Sequence, residues 1–181
     1  MSGNNTAAPR AQRLGADFYT RDVLTVAPAL LGKLLVRRLC DGSVIKRRIT
    51  ETEAYRGEED TACHARAGKT KRTSVLYESG GMAYVYLCYG VHYLFNVVTG
   101  DMGSPQAALI RGLEGYTGPG RLTRAMGIDK SLNMTDLTDS PDIWLEDDGL
   151  KVRYTAAPRV GIGYATEPYK SIEWRFIWDN R

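Results

Sequence analysis

Residues 33–55, KLLVRRLCDGSVIKRRITETEAY, hold two β-forming runs on either side of Asp41-Gly42. An Asp-Gly pair tolerates the left-handed backbone that a tight hairpin turn requires, so residues 33–38 and 44–53 are expected to pair antiparallel. Glu53 then falls near the end of the second strand. Side chains two apart in a strand share a face, which puts Glu51, Glu53 and Tyr55 together and Thr52 and Ala54 opposite. One face of this strand is polar and aromatic.

Before it, residues 22–35 show helical spacing with an acidic start at Asp22, and Pro28 belongs in the first turn of that helix or splits it. Residues 1–12 are small and polar and read as a disordered tail, so the domain spans 13–181. After the strand, Gly57-Glu58-Glu59-Asp60 breaks it, and residues 61–71 form an irregular basic loop carrying His64. Residues 83–87 and 93–98 make a second hairpin with Tyr89-Gly90 in or beside its turn. Leu109-Ile110 suggests a strand ahead of Arg111, residues 112–120 a glycine-rich loop, 121–127 a short helix, and 158–163 and 174–178 closing strands. The fold class expected is α+β, a single domain built around an antiparallel-rich sheet with a protruding β-hairpin.

With 181 residues, 43% of them apolar, the chain can bury the core of one domain. A net charge of +3 permits nucleic-acid binding without arguing for it, so the distribution has to carry that case. Residues 64–73, HARAGKTKRT, hold Arg66, Lys69, Lys71 and Arg72 and no acid, whereas Asp136, Asp139, Asp142, Glu146, Asp147 and Asp148 crowd a later segment. Three cysteines, an odd number without CxxC spacing, argue against a disulfide framework or zinc ribbon and point to a reducing compartment. The first residues contain no apolar leader core, and no stretch approaches the roughly 18 apolar residues of a membrane span. A cytoplasmic protein that is not secreted and has no membrane partner is the expectation.

Several chemistries fail on their residues. Gly68-Lys69-Thr70 resembles the end of a phosphate-binding loop, but the pattern needs glycine where Cys63 stands. His64 and His92 are the only histidines and neither lies in an HExxH arrangement, so no protein-bound metal is expected. No serine sits in a GxSxG elbow. What remains is Glu53 among Tyr55, His64, Tyr86 and Tyr89, beside the basic loop. A carboxylate can activate water, rings can hold a flat base, and cations can hold phosphates, a combination that suits chemistry on a nucleobase. Each residue also has a plainer use. A lone strand-end glutamate is ordinarily a solvated charge, and Tyr55, Tyr86 and His64 could be half-buried sheet residues with satisfied polar tips. Tyr89 could pack over a neighbouring strand. Asn96, flanked by Phe95, Val97 and Val98, is either hydrogen-bonded glue or a reader of a ligand, because a buried unpaired amide costs roughly 1–3 kcal/mol.

Taken in order, Glu51-Thr52-Glu53-Ala54-Tyr55 with His64, Tyr84-Val85-Tyr86 with Tyr89-Gly90, Gly118-Pro119-Gly120 with Leu122, Ile128-Asp129-Lys130-Ser131 and Arg159-Val160-Gly161-Ile162-Gly163 resemble the alkyladenine (3-methyladenine) DNA glycosylase family. Its members are monofunctional base-excision repair enzymes. The match runs from Arg13-Leu14-Gly15 to about Trp174-Arg175-Phe176. The resemblance implies one α+β domain, without cofactor, acting as a monomer on double-stranded DNA containing damaged purines, in the cytoplasm or on the nucleoid. It implies that Glu53 is the general base and positions the attacking water together with Arg111, with the Val160 carbonyl as a further acceptor. Tyr55, Tyr86 and His64 would sandwich a flipped base, with the His64 backbone N–H at its edge. Tyr89 would enter the gap in the duplex, and Asn96 would discriminate against guanine at the pocket floor. Arg66, Lys69, Lys71 and Arg72 would meet the DNA backbone. The segment between Arg111 and Gly118 is shorter than the family's, and Thr70-Lys71-Arg72-Thr73 replaces its usual Thr-Pro-Arg-Asn. Two other classes fit part of the pattern: a non-catalytic nucleic-acid-binding protein, which would not need Glu53 among the rings, and a hydrolase of free nucleosides, which would not need Tyr89 or the basic loop.

Overall fold

A computed structural model describes residues 11–179. Its organising element is β3, Val44–Arg56, thirteen residues long. Its first half pairs antiparallel with β2, Leu34–Arg38, across the Asp41-Gly42 turn, where Gly42 has φ +84°. Its second half is flanked by β6, Gln106–Leu113, on one edge and by β10, Arg175–Trp178, on the other. The sheet runs β1-β8-β2-β3-β6-β5-β4, with β1 at Gln12–Arg13, β4 at Ala83–Cys88, β5 at His92–Val98 and β8 at Ile143–Asp147. β7, Tyr116–Thr117, folds back on β6, and β9, Tyr154–Ala157, extends β10. Among the described residues every strand pairing is antiparallel, and three short α-helices pack on the sheet: α1 at Ala16–Tyr19, α2 at Val23–Ala29 and α3 at Pro119–Ala125. This is the α+β, antiparallel sheet that the strand signals predicted.

The main core joins Val23, Val26 and Ala27 of α2 and Leu122 of α3 to Ile49, Phe95, Val97 and Ile110 from the sheet. Thr52 on the buried back of β3 donates to the Ala27 carbonyl at 2.8 Å, fixing strand to helix on the face away from Glu53. From Glu51 to Tyr55 the side chains therefore alternate as period two requires, while Ile49, before the bulge in β3, packs in the same core as Ala54.

Four expectations need correction. The helix expected over residues 22–35 ends at Ala29, with Pro28 in its last turn rather than its first, because Gly32 turns the chain at φ +80° and Leu34 and Leu35 are recruited into β2 between β3 and β8. Residues 112–120 are not a loop: Gly112 and Leu113 stay in β6 and pair with Thr117 and Tyr116, and α3 starts at Pro119. Residues 158–163 are not a strand; the closing strand is β9, which ends at Ala157. β8 was hidden in the acidic segment, where Glu146, Asp147 and Asp148 pair with Lys46, Lys33 and Arg48 at 2.6–2.7 Å. Of the expected tail, residues 1–10 lie outside the described residues, and Gln12 already pairs with Asp147. Among the described residues no helix is long and apolar enough to cross a membrane.

Candidate active site

Two irregularities in the β3–β6 ladder build the floor of the site. The register passes from Ile49↔Leu113 to Glu51↔Gly112 and then to Thr52↔Ile110, so Thr50 on one strand and Arg111 on the other are left without a partner residue. Bulges of this kind bend a strand and re-aim a side chain. Here Arg111 Nε donates to Glu51 Oε1 at 3.0 Å and lies 3.6 Å from Glu53 Oε1. Glu51 also accepts from Arg175 of β10 at 3.1 Å. The bulges thus turn one cation toward two carboxylates on the same face of β3.

Glu53 is 0% exposed. One carboxylate oxygen accepts from the Val160 backbone N–H at 2.8 Å and the other from the Tyr55 hydroxyl at 2.8 Å. Burial pushes its carboxyl above the usual glutamate range, and Arg111 and the two hydrogen bonds pull the other way, with the Glu51 charge adding to the rise. The result is a hydrogen-bonded carboxylate of heightened basicity, the property a general base requires. Tyr55 keeps its proton, since desolvation and the Glu53 charge both raise its hydroxyl.

Rings surround this floor. His64 stands in a 3-10 turn, His64–Ala67, with Nδ1 2.9 Å from the Tyr84 hydroxyl and its ring centroid 4.6 Å from that of Tyr86 at 69°. Burial, then Arg72 and Arg66, lower its pKa to about 4, so the imidazole is neutral near pH 7. Tyr55, His64, Tyr84, Tyr86 and Asn96 line a cavity of about 20 Å³. Asn96 is buried and its Nδ2 donates to the Tyr84 carbonyl at 3.1 Å, so the amide serves as glue on one side while lining the cavity on the other.

Outside the cavity runs a groove of about 1410 Å³ onto which Tyr55, His64 and Val160 open. That exceeds a pocket for a small ligand, which is typically about 300–1,000 Å³. Arg66, Arg72, Arg111, Arg121 and Arg124 line it, and no Asp or Glu does. Tyr89 stands on its hairpin wall, 91% exposed, and Tyr89 and Gly90 have φ of +50° and +69°. Glycine takes that backbone freely and tyrosine does not, so the ring is presented at a cost to the turn.

The structure brings Glu53, Tyr55, Arg111 and Val160 into direct contact or near it, and sets His64, Tyr86 and Asn96 around the adjoining cavity. Val160 meets Glu53 through its backbone N–H. Of the four basic residues expected at the backbone of DNA, Arg66 and Arg72 line the groove, whereas Lys69 and Lys71 do not, Lys69 lying 5.5 Å over the Tyr77 ring. Sequence reasoning missed Arg121 and Arg124, which lie one turn apart on the exposed face of α3 and make no ion pair among the described residues. It also missed Tyr84 as the partner of His64. No three His, Cys, Asp or Glu side chains among the described residues converge as a metal site would need.

A family model described as Methylpurine-DNA glycosylase (MPG) matches residues 17–181. The chain belongs to this family. Its relatives agree along almost their whole length. A protein of Desulfitobacterium hafniense (strain Y51) is 45% identical over 197 residues, covering 93% of this chain and 96% of that protein. One of Borreliella burgdorferi (strain ZS7) is 44% identical over 179 residues, covering 91% and 95%. One of Psychrobacter cryohalolentis is 39% identical over 192 residues, covering 89% of both. All three carry the name "Putative 3-methyladenine DNA glycosylase". Membership makes the chain a DNA glycosylase, a hydrolase of N-glycosyl bonds that works on alkylated bases in DNA.

Proposed function

We propose that the protein extrudes an alkylated or deaminated purine nucleotide from duplex DNA and hydrolyses its N-glycosidic bond with a water activated by Glu53. The observation that carries this reading is the Glu53 carboxylate itself, shut off from solvent, raised in basicity and held by Tyr55 and Val160, which line the acid-free, arginine-rich groove directly above it. The water's proton passes to Glu53 as its oxygen bonds to the sugar C1′. The glycosidic electron pair leaves with the base, and an abasic site remains. Arg111 steadies the carboxylate and offers the water a donor. Glu51 and Arg175 keep that guanidinium in place.

The base enters from the groove between the Tyr55 and His64 rings that open onto it, and the His64–Tyr86 pair has to part before it reaches Asn96, since the cavity there holds about one water. A purine alkylated at N3 or N7 is cationic, which favours its departure and its attraction to aromatic faces. The neutral His64 adds no repelling charge. Extrusion costs a few kcal/mol and each stacked ring returns about 1–3, so two or three rings with Tyr89 in the gap balance it. Arg66 and Arg72 on one side of the groove and Arg121 and Arg124 of α3 supply phosphate contacts. A single chain carries the whole site, in keeping with a monomer in a reducing cytoplasm where Cys40, Cys63 and Cys88 stay free.

The decisive experiment incubates the purified protein with duplexes containing one 3-methyladenine, 7-methylguanine, hypoxanthine or ethenoadenine, followed by alkaline cleavage at abasic sites. Excision of at least one lesion, absent from the undamaged duplex, is expected. Binding to all four with no strand cleavage would leave a DNA-binding protein without this activity.

A further inference from the structure

Arg159 lies behind the site, with its side chain 0% exposed and absent from both the groove and the cavity. Four of the five guanidinium donors are engaged: two on Asp60 at 2.6 and 2.8 Å, one on the Ala54 carbonyl at 2.9 Å and one on the Tyr169 carbonyl at 3.0 Å. Nε has no partner among the described residues. The guanidinium carbon lies 4.7 Å from the Tyr55 ring centroid and 5.2 Å from that of Trp174, so a cation is held between the two rings. Asp60, also 0% exposed, accepts from the backbone N–H of Arg56 and of Ala62. One fork therefore ties together β3, the loop after it and the segment leading into β10.

We infer that Arg159 is a positioning residue that sets both the ring on which the extruded base stacks and the carboxylate that activates water. Its neighbour in the chain, Val160, is the donor to Glu53, so the clasp on Asp60 holds that N–H in place. Its planar face backs the Tyr55 ring, whose hydroxyl is the other donor to Glu53. Both hydrogen bonds on the base thus depend on one buried guanidinium. A permanent cation behind Tyr55 also draws the ring's electron density away from the face turned to the groove, which weakens its hold on a cationic base relative to a neutral one. A lysine cannot replace this residue, since it lacks the fork and the flat face.

The inference rests on the proposed glycosylase reading, and wild-type excision in the same assay separates the two. Arg159→Lys keeps the charge, and the double change Asp60→Asn with Arg159→Gln removes both charges and keeps polar partners, so that at least one variant folds. Single-turnover excision of hypoxanthine and of 7-methylguanine is measured from pH 5 to 9, well below each variant's melting temperature. The titratable and charged groups facing Glu53 are Glu51 and the neutral Tyr55 on β3, Arg111 on β6, and Arg159, with Arg175 of β10 acting through Glu51. With the Val160 donor displaced, the acidic limb should move up by about one pH unit. The hypoxanthine rate at pH 7 should fall about 10- to 100-fold, as expected for a misplaced reacting group, with 7-methylguanine losing several-fold less. A folded variant with an unchanged acidic limb and an unchanged ratio of the two rates, differing only in melting temperature, would make Arg159 a structural residue and overturn the inference.

Discussion

Glu53 lies beneath the groove, behind Tyr55, Arg111 and Val160 that line it, and Tyr89 stands on its wall; the two are at opposite extremes of exposure, 0% and 91%. The carboxylate sits on a strand hydrogen-bonded along both edges, and its two oxygens are each taken by a donor from a different position in the chain. The ring sits at the tip of a hairpin, on a left-handed backbone, touching little of its own chain. The group proposed to take a proton is built into a dry interior, where its field and geometry are fixed. The group proposed to enter the duplex is left free and projecting. The difference predicts that changes at the floor alter chemistry and changes at the wall alter engagement of DNA.

The largest effect should come from Glu53→Gln. The amide preserves shape but cannot take a proton, and general-base contributions are typically about 10²–10⁴-fold. Single-turnover excision of hypoxanthine should drop by that factor while affinity for the lesion duplex holds; a wild-type rate would remove Glu53 from the chemistry. In the wild type, burial of this carboxyl should place the acidic limb of the rate profile above the ordinary glutamate range, since a general base acts in its ionised form and activity would be lost as pH falls through a raised pKa.

Tyr89→Ser tests the other pole. Loss of one stacking ring should weaken extrusion by about 1–3 kcal/mol, roughly ten- to a hundredfold, read as a reduced fluorescence change on binding an ethenoadenine duplex. The rate from the fully bound state should change far less. If both quantities fell together, the wall and the floor would not be separable in this way.

Asn96→Ser lies between the poles, since this amide is tied to Tyr84 and faces the cavity as well. The shorter side chain should shift the ratio of single-turnover rates toward guanine-type lesions by about tenfold, the scale set by an unmatched buried polar group. A fixed ratio with lower thermal stability would make it glue alone. The smallest effect is expected for Arg124→Ala, which should weaken binding a few-fold and lower the salt dependence by about one counterion. Lys69→Ala, off the groove, should leave that slope unchanged, and equal slopes for both variants would place the DNA elsewhere.

Much of this was legible in the order of residues. Asp41-Gly42 between two β-forming runs announces the β2–β3 hairpin, because turn chemistry is local. The period of two puts Glu51, Glu53 and Tyr55 on one face and hides Thr52 and Ala54, because pleating admits no other arrangement. The hairpin carrying Tyr89 at its tip follows from the same rules.

Other features depend on partners distant in sequence. Leu34 and Leu35 could have continued a helix, and pairing with β8, more than a hundred residues away, made them strand. The acids of that segment look like a solvated run until the sheet sets them against Lys33, Lys46 and Arg48. The aim of Arg111 comes from the mismatch between two strands at a bulge, which neither strand encodes alone. The contacts around the proposed base, Val160 to Glu53 and Arg159 to Asp60, join residues 107 and 99 positions apart. The residue order therefore determined which chemistry the chain carries and which face of a strand presents it, through short-range stereochemistry. Only the tertiary fold decided how that carboxylate is buried, held and backed, because desolvation and long-range hydrogen bonds exist only once the distant segments meet.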